Sequence, residues 1–357
     1  MPENYRDTIL RLIQTTPFDI DIDLQVGSRM PTLANSEFLT NKEQGDWAEQ
    51  IALAAINESS DEYRAVKYGR DDSLSAGDPG FREFYEAYQE ELNTIGKKPD
   101  LLIYKRSELP GNGIYDLEDS AFVERAVAAV EVRSSSFLAD RYSLFMDTRT
   151  QNAERECERI RNRLLEEPHA ALLSQRRPHI YDMVSNATLE TFRELSFKRP
   201  SWSSSLELRQ LTDLLKDLKE QMKILQTRNY LSITPKLEDL ALVNRWIQTF
   251  GVRHYYMQVF FDKAYVIPFR QILEIVSDPD NEGPMFSVER DAKNQGKTTI
   301  KVDVQVGKEI LGRIDLPQHR SAMKELERGR LLFYVTFQGG KGYLDQSVFL
   351  DEIANAG

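Results

Sequence analysis

The chain has 357 residues, 41% of them apolar and 29% charged, a composition that fits a globular protein with a sizeable core. Its formal net charge of −11 argues against a protein that coats nucleic acid indiscriminately, and no apolar run approaches the roughly 20 residues a bilayer-spanning helix needs. A single cysteine, Cys157, excludes a disulfide framework and a thiolate zinc cluster, and with the polar N-terminus it predicts a reducing, cytoplasmic setting without a secretory signal.

In chain order, residues 5–14 and 41–58 read as helices. The second has Thr40 and Asn41 as caps and Trp47, Ile51, Ala54 and Ala55 at helical spacing. Ser59, Ser60, Gly69, Gly77, Pro79 and Gly80 make 59–80 mostly loop, and 81–95 follows as an aromatic helix. Two apolar runs of strand length come next, 101–104 and 126–132. A polar, helical section then runs from about 141 to 228. It ends in an amphipathic helix with Leu208, Leu211, Leu215, Leu218, Met222 and Leu225 at three- and four-residue steps. Residues 231–234 read as a strand, 238–250 as a helix, 254–261 as a buried strand and 269–276 as a short helix. From 286 onward the chain alternates in strand fashion, notably over 298–306 and 331–337, with a glycine-rich turn at 339–342. This order predicts an α/β fold: a mixed central sheet flanked by helices, with a large helical insert and a β-rich C-terminal region. The divisions fall at 1–140, 141–228 and 229–357.

Charge is unevenly placed. Residues 1–100 carry twenty Asp and Glu against ten Lys and Arg, whereas ten Lys and Arg gather between positions 290 and 330. An acidic chain can still bind DNA when its cations concentrate in one cleft. No G-x-x-x-x-G-K-[ST] is present, so nothing suggests a nucleotide cofactor.

The chemistry-bearing constellation is Pro99-Asp100, immediately before the strand 101–104, and Glu131-Val132-Arg133 at the end of the run 126–132. The two acids meet if the strands pair antiparallel. Paired carboxylates repel unless a cation lies between them, and Mg2+, which takes oxygen ligands and keeps waters, fits that place. Such an ion activates water and stabilises charge on a phosphodiester. Arg133, two residues past Glu131, shares its face of the strand.

This arrangement resembles the PD-(D/E)XK nuclease superfamily. Three further features carry the resemblance: the preceding helix with Gln44-Gly45-Asp46-Trp47-Ala48-Glu49; the hydroxyl run Ser134-Ser135-Ser136 after the acidic position; and the segment 231–273, which looks like type II restriction endonucleases, the AccI-like group nearest. It covers mainly 40–58, 97–137 and 229–276. The resemblance implies a restriction-endonuclease-like core and Mg2+-dependent hydrolysis of double-stranded DNA at a specific sequence. Asp100 and Glu131 would be the metal ligands and Glu49 a further acid of the site. A twofold recognition site implies a homodimer. Ser134 and Ser135 would touch phosphate, with Arg290, Lys293, Lys297, Lys301 and Arg313 as further DNA-binding candidates.

One departure stands out: the superfamily usually has Lys where this chain has Arg133, and a guanidinium can stabilise charge but cannot act as a base. Lys236, just before the helix at 238, is the alternative cation. Two competing readings are a DNA-binding protein that kept the fold without its chemistry and a structure-specific repair nuclease. The remaining candidates read structurally. His169, His179, His254 and His319 have no ligand spacing, and His254 fits a partly buried structural role. Glu238 and Asp239 fit first-turn acids of a helix. Asp262-Lys263 and the 198–202 segment, with Lys198, Arg199 and Trp202, suit a strand cap and a surface loop, DNA contact being the other use of each.

Overall fold

The computed structural model describes residues 5–15, 35–69, 74, 78, 80–110, 113–291, 297–326 and 329–354. The chain divides into two units, one built from Met1–Ala139 with Leu231–Gly357 and the other from Asp140–Tyr230.

The first unit begins with α1 (Tyr5–Thr15) and α2 (Ser36–Ser59), then β1 (Tyr63–Lys67), α3 (Phe81–Thr94), β2 (Leu101–Lys105), a short α4 (Ser120–Val123) and β3 (Ala128–Ser134). Helix α2 starts five residues before the predicted boundary. The Asn35 side chain accepts from Phe38 N at 2.7 Å and does the capping expected of Thr40 and Asn41. Strand β1 corrects the reading of 59–80 as mostly loop. Five residues are too few for a clear alternation, but Tyr63 pairs with Lys105 and Lys67 with Leu101, so the ladder with β2 organises them.

The second unit is helical: α5 (Ala139–Leu164, its first residue still in the first unit), α6 (His169–Arg176), α7 (Pro178–Asn186) and α8 (Leu206–Gln226). Leu208, Leu211, Leu215, Leu218, Met222 and Leu225, the stripe read from the sequence, are buried with Cys157, Ile160 and Leu164 of α5. Ser205 caps α8 by accepting from Leu208 N. Trp202 packs against this core.

The chain then returns to the first unit through β4 (Ser232–Ile233), α9 (Leu237–Phe250), β5 (His254–Val259), β6 (Ala264–Pro268), α10 (Phe269–Ser277), β7 (Phe286–Asp291), β8 (Lys297–Asp303), β9 (Lys308–Ile314), β10 (Gln318–Glu325), β11 (Leu331–Gln338), β12 (Gly342–Leu344) and α11 (Gln346–Phe349). Seven strands form the central sheet in the order β1-β2-β3-β5-β6-β9-β12. Its β3–β5 pair is parallel, Glu131 beside Tyr256 and Arg133 beside Gln258, and its other neighbours run antiparallel. Strands β4, β8 and β7 make a smaller sheet, and β10 with β11 a ribbon. A mixed sheet flanked by helices with a β-rich C-terminal region is the fold class the sequence predicted.

Alternation along β3 sets the two faces of the sheet. Ala128, Val130 and Val132 point into a core with Trp47, Ala48, Ile51, Ala55 and Ile56 of α2, joined by Leu101, Ile103, Tyr255, Met257 and Val259. The opposite face meets α9 and α10, whose Trp246 and Phe269 rings lie against His254, and Phe269 also against Tyr256. Glu131 and Arg133 belong to that second face, so charged groups enter a buried side of the sheet beside the His254, Tyr256 and Phe269 rings. Among the described residues, no helix is long and apolar enough to cross a membrane.

Candidate active site

Strands β2 and β3 are antiparallel with Leu101 opposite Val130, a register that brings Asp100 up to Glu131. Asp100 Oδ2 accepts from Val132 N at 2.6 Å, which fixes the carboxyl against the backbone beside Glu131. The Asp100 carbonyl in turn accepts from Tyr68 N and Gly69 N at 2.9 and 3.1 Å. A Cβ on Gly69 would sit 3.0 Å from Asp100 Cα and 3.2 Å from its Oδ1, so a larger residue would press on Asp100. The Pro99-Asp100 placement is thus held from both sides.

Glu131 is only 1% exposed. Its Oε1 takes two cations, Lys97 Nζ and Arg133 Nη2, the latter at 2.9 Å. The same two cations reach Asp239 Oδ2, each at 3.3 Å. The four side chains therefore alternate in sign around a square. Glu131 Oε2, by contrast, is buried with no hydrogen-bond partner among the described residues, and so are Arg133 Nε and Tyr256 Oη nearby. A carboxylate oxygen stripped of water and left unpaired is costly, by roughly 1–3 kcal/mol or more for a charged group. A cation bound there would remove that cost.

Glu49, on α2, forms an ion pair with Lys67 at 3.4 Å. Burial first, then repulsion from Asp46 and Glu131, raise its pKa against the pull of Lys67. Burial, reinforced by the Glu131 and Glu49 charges, pushes Asp100 well above the usual carboxylate range, and Lys97 and the Val132 N–H only partly offset this. Burial works the same way on Glu131, but Lys97 and Arg133 overcome it and hold that carboxyl below its ordinary value. Formally, four carboxylates (Glu49, Asp100, Glu131, Asp239) face three cations (Lys67, Lys97, Arg133), an excess of one negative charge. A divalent ion would invert that sign and a phosphodiester would then neutralise it.

Among the described residues, no three Asp, Glu, His or Cys side chains converge tightly enough to hold a metal unaided.

Two members of this cluster escaped the sequence reading. Asp239 was expected to favour the helix dipole from the first turn of α9, yet it is 2% exposed and faces Lys97 and Arg133. Its neighbour Glu238 accepts from Thr298 N at 2.7 Å, which ties α9 to β8. Lys97 was not singled out at all. Its only signal is a lysine three residues before Asp100, adjacent to a glycine.

The other expected residues lie as follows. Lys236 occupies the N-cap position of α9, half-buried, its backbone bridged to Thr299 of β8. Ser134 ends β3, and Ser135 N donates to Val259 O at 3.0 Å. With its amide oxygen turned to this turn, buried Gln44 accepts from Ser135 N and Ser136 N at 3.1 and 3.3 Å. Helix α2 thereby holds the hydroxyl run at the end of β3. Arg313 stands on β9 over the Tyr343 ring and is paired with Asp315 at 2.7 Å, and Lys301 lies on β8. Arg290 and Lys297 belong to β7 and β8, but their side chains are outside the described residues, as is all of Lys293. His254 is 4% exposed, more deeply enclosed than the partial burial expected. Asp262 Oδ1 accepts from Ala139 N at 2.7 Å, so it binds the first residue of α5, 123 positions away in the chain, and does not cap the end of its own strand as expected. In the helical unit, Arg199 lines a groove of about 470 Å³ with Lys216, Lys219 and Lys223.

A family model described as AccI restriction endonuclease matches residues 3–355. The match takes in the helical section and the C-terminal strands, which the local motifs left unassigned. No curated protein and no solved structure matches the chain.

Proposed function

Since the chain belongs to the AccI restriction endonuclease family, and is therefore a type II site-specific deoxyribonuclease acting on DNA, we propose that Asp100 and Glu131 hold a Mg2+ ion at its cleavage site. The observation that carries this reading is the antiparallel β2–β3 register that sets Asp100 against Glu131, whose Oε2 is buried without a partner. Glu49 is the third acid, close enough to Asp100 for the two charges to repel. When bound, the ion would supply a lowered water pKa and Lewis-acid stabilisation of the phosphoryl oxygens.

The chain's own residues do the rest. Asp100 and Glu131 are fixed by backbone and ion pairs before substrate arrives, so little reorganisation is needed. Arg133 places a permanent positive charge two residues past Glu131, and Lys236 is the second candidate cation. Ser134 and Ser135 offer hydroxyls to the DNA backbone, and Arg199, Lys216, Lys219 and Lys223 give the helical unit a cationic groove suited to phosphates. Arg290, Lys293, Lys297, Lys301 and Arg313 are the base-edge and backbone candidates of the β-rich region. A twofold DNA site is cut on both strands most simply by a C2 homodimer, which light scattering on the DNA-bound protein would register as the mass of two chains plus one duplex.

The test is plasmid digestion with Mg2+. Wild-type protein is expected to give discrete fragments, whose sequenced ends define the site. Asp100→Asn and Glu131→Gln are expected to lose at least roughly 10³-fold in rate, the scale of removing a principal charge-stabilising group. Cleavage by either variant at the wild-type rate would refute the assignment.

A further inference from the structure

We propose that Lys97 is the lysine of this site: its ammonium, delivered by the segment before β2, meets the phosphate under attack, with Gly96 and Asp239 as its positioning residues. The inference rests on the reading of Asp100 and Glu131 as the metal-holding pair.

The segment is built for that delivery. Gly96 has φ +85°, and a Cβ there would lie 2.2 Å from Leu242 O and 2.7 Å from Trp246 N. Only glycine lets the chain press this close against α9. The next residue is anchored by Lys97 N donating to Leu242 O at 3.0 Å. Leu242 lies one turn beyond Asp239 on the same helix, so the contact that seats the backbone also seats the side chain. Lys97 Nζ then reaches Glu131 and Asp239 together. An ammonium carries three N–H donors. Those two carboxylates, its side-chain partners among the described residues, take two and leave one for an incoming oxygen.

Arg133 shares the same two oxygens but differs in kind. It is fixed to β3, within the ladder with β5, whereas Lys97 carries a compact charge on a four-carbon stem. Lys97 therefore offers its remaining N–H to substrate from where it stands, while Arg133 stays paired with Glu131 and Asp239. In the reaction a water oxygen bonds to phosphorus as the bond from phosphorus to one ester oxygen breaks. The water releases a proton to solvent, and the departing oxygen takes one up from solvent. Negative charge accumulates on the phosphoryl oxygens midway, and a fixed cation there lowers the barrier.

The experiment compares single-turnover cleavage with DNA affinity measured by anisotropy without metal. Lys97→Met is expected to slow cleavage by roughly 10²–10³-fold, with affinity within about threefold of wild type. The adjacent Lys98→Ala, whose side chain pairs with Glu91 instead, is expected to cleave within about twofold of wild type. Asp239→Asn should slow cleavage, and the double variant Lys97→Met/Asp239→Asn should be no slower than Lys97→Met, because Asp239 acts through the lysine. Should Lys97→Met fail to fold, as judged by its melting transition, Lys97→Arg keeps the ion pairs and is expected to fold and cleave at least about tenfold slower. The proposal is overturned if Lys97→Met, or Lys97→Arg in its place, cleaves within about threefold of wild type while Asp100→Asn and Glu131→Gln are inactive. If those two variants also cleave, it is the metal-pair reading that has failed.

Discussion

Asp100 and Glu131 feel opposite fields although they are neighbours, and this has consequences for pH. Burial and the surrounding carboxylates push Asp100 up, whereas Lys97 and Arg133 hold Glu131 down. A metal ion held by Asp100 and Glu131 would compete with a proton on Asp100, so Mg2+ affinity is expected to rise with pH until Asp100 is ionised and then level off, which calorimetric titration at several pH values checks. His254 has the opposite linkage. Burial lowers its pKa to about 3, a drop that Lys97 and Arg133 reinforce and Glu131 resists. The folded state keeps this imidazole neutral while the unfolded chain takes up a proton below about 6.5, so stability is lost as pH falls through that window. The expected loss is about 2 kcal/mol between pH 6.5 and 5, at about 1.4 kcal/mol per unit. Urea denaturation of His254→Phe should show that loss removed; an unchanged pH slope would exclude His254 as its source. At this scale the sequence was half legible. Asp100 and Glu131 could be paired because strand alternation and antiparallel pairing are local rules. Asp239 could not, because a first-turn acid reads the same whether it meets the helix dipole or a buried lysine.

Helices and strands were legible where their own periodicity dominates and illegible where a neighbour supplies the order. The α8 stripe needed nothing beyond its three- and four-residue steps. Strand β1 needed β2, and the true start of α2 needed the Asn35 side chain. Two glycines illustrate the same contrast energetically. Gly45 lies inside α2 with nothing within 4 Å of an added Cβ, so Gly45→Ala is expected to stabilise the protein by about 0.5–1 kcal/mol. Gly96 combines a positive φ with backbone atoms in the way, and Gly96→Ala is expected to cost about 1–3 kcal/mol. Both alanines look alike in a sequence alignment. Thermal melts of the two variants should move in opposite directions, and a shared direction would contradict the packing described around one of them.

Among the described residues the helical unit has a core of its own, and the lone thiol reports on it. Cys157 is buried in the helical unit among Leu211, Leu215 and Leu218, and burial pushes the thiol up to about 12, with Glu154 and Glu156 adding to the effect. It should resist a thiol reagent until that unit opens. Leu215→Ala is expected to remove about 2–5 kcal/mol from that core and to bring labelling of Cys157 to lower urea. Labelling at the wild-type midpoint would show that the two sites do not share a cooperative unit. The helical section was legible as a stretch apart, from its polarity and length. Its membership of the family was not, because the motifs that carry the resemblance all lie outside it, and only the match over residues 3–355 includes it.

The parallel pair β3–β5 has a last implication. A hairpin cannot join parallel neighbours, so the polypeptide must make an excursion before laying down β5. Everything from α5 to α9 is spent on that detour. Entropy penalises a longer detour only logarithmically, and no ladder bond between β3 and β5 depends on its length. Such a stretch is where lineages can gain or shed material cheaply. Size variation among family members should therefore concentrate between positions 139 and 231, leaving the sheet on either side untouched.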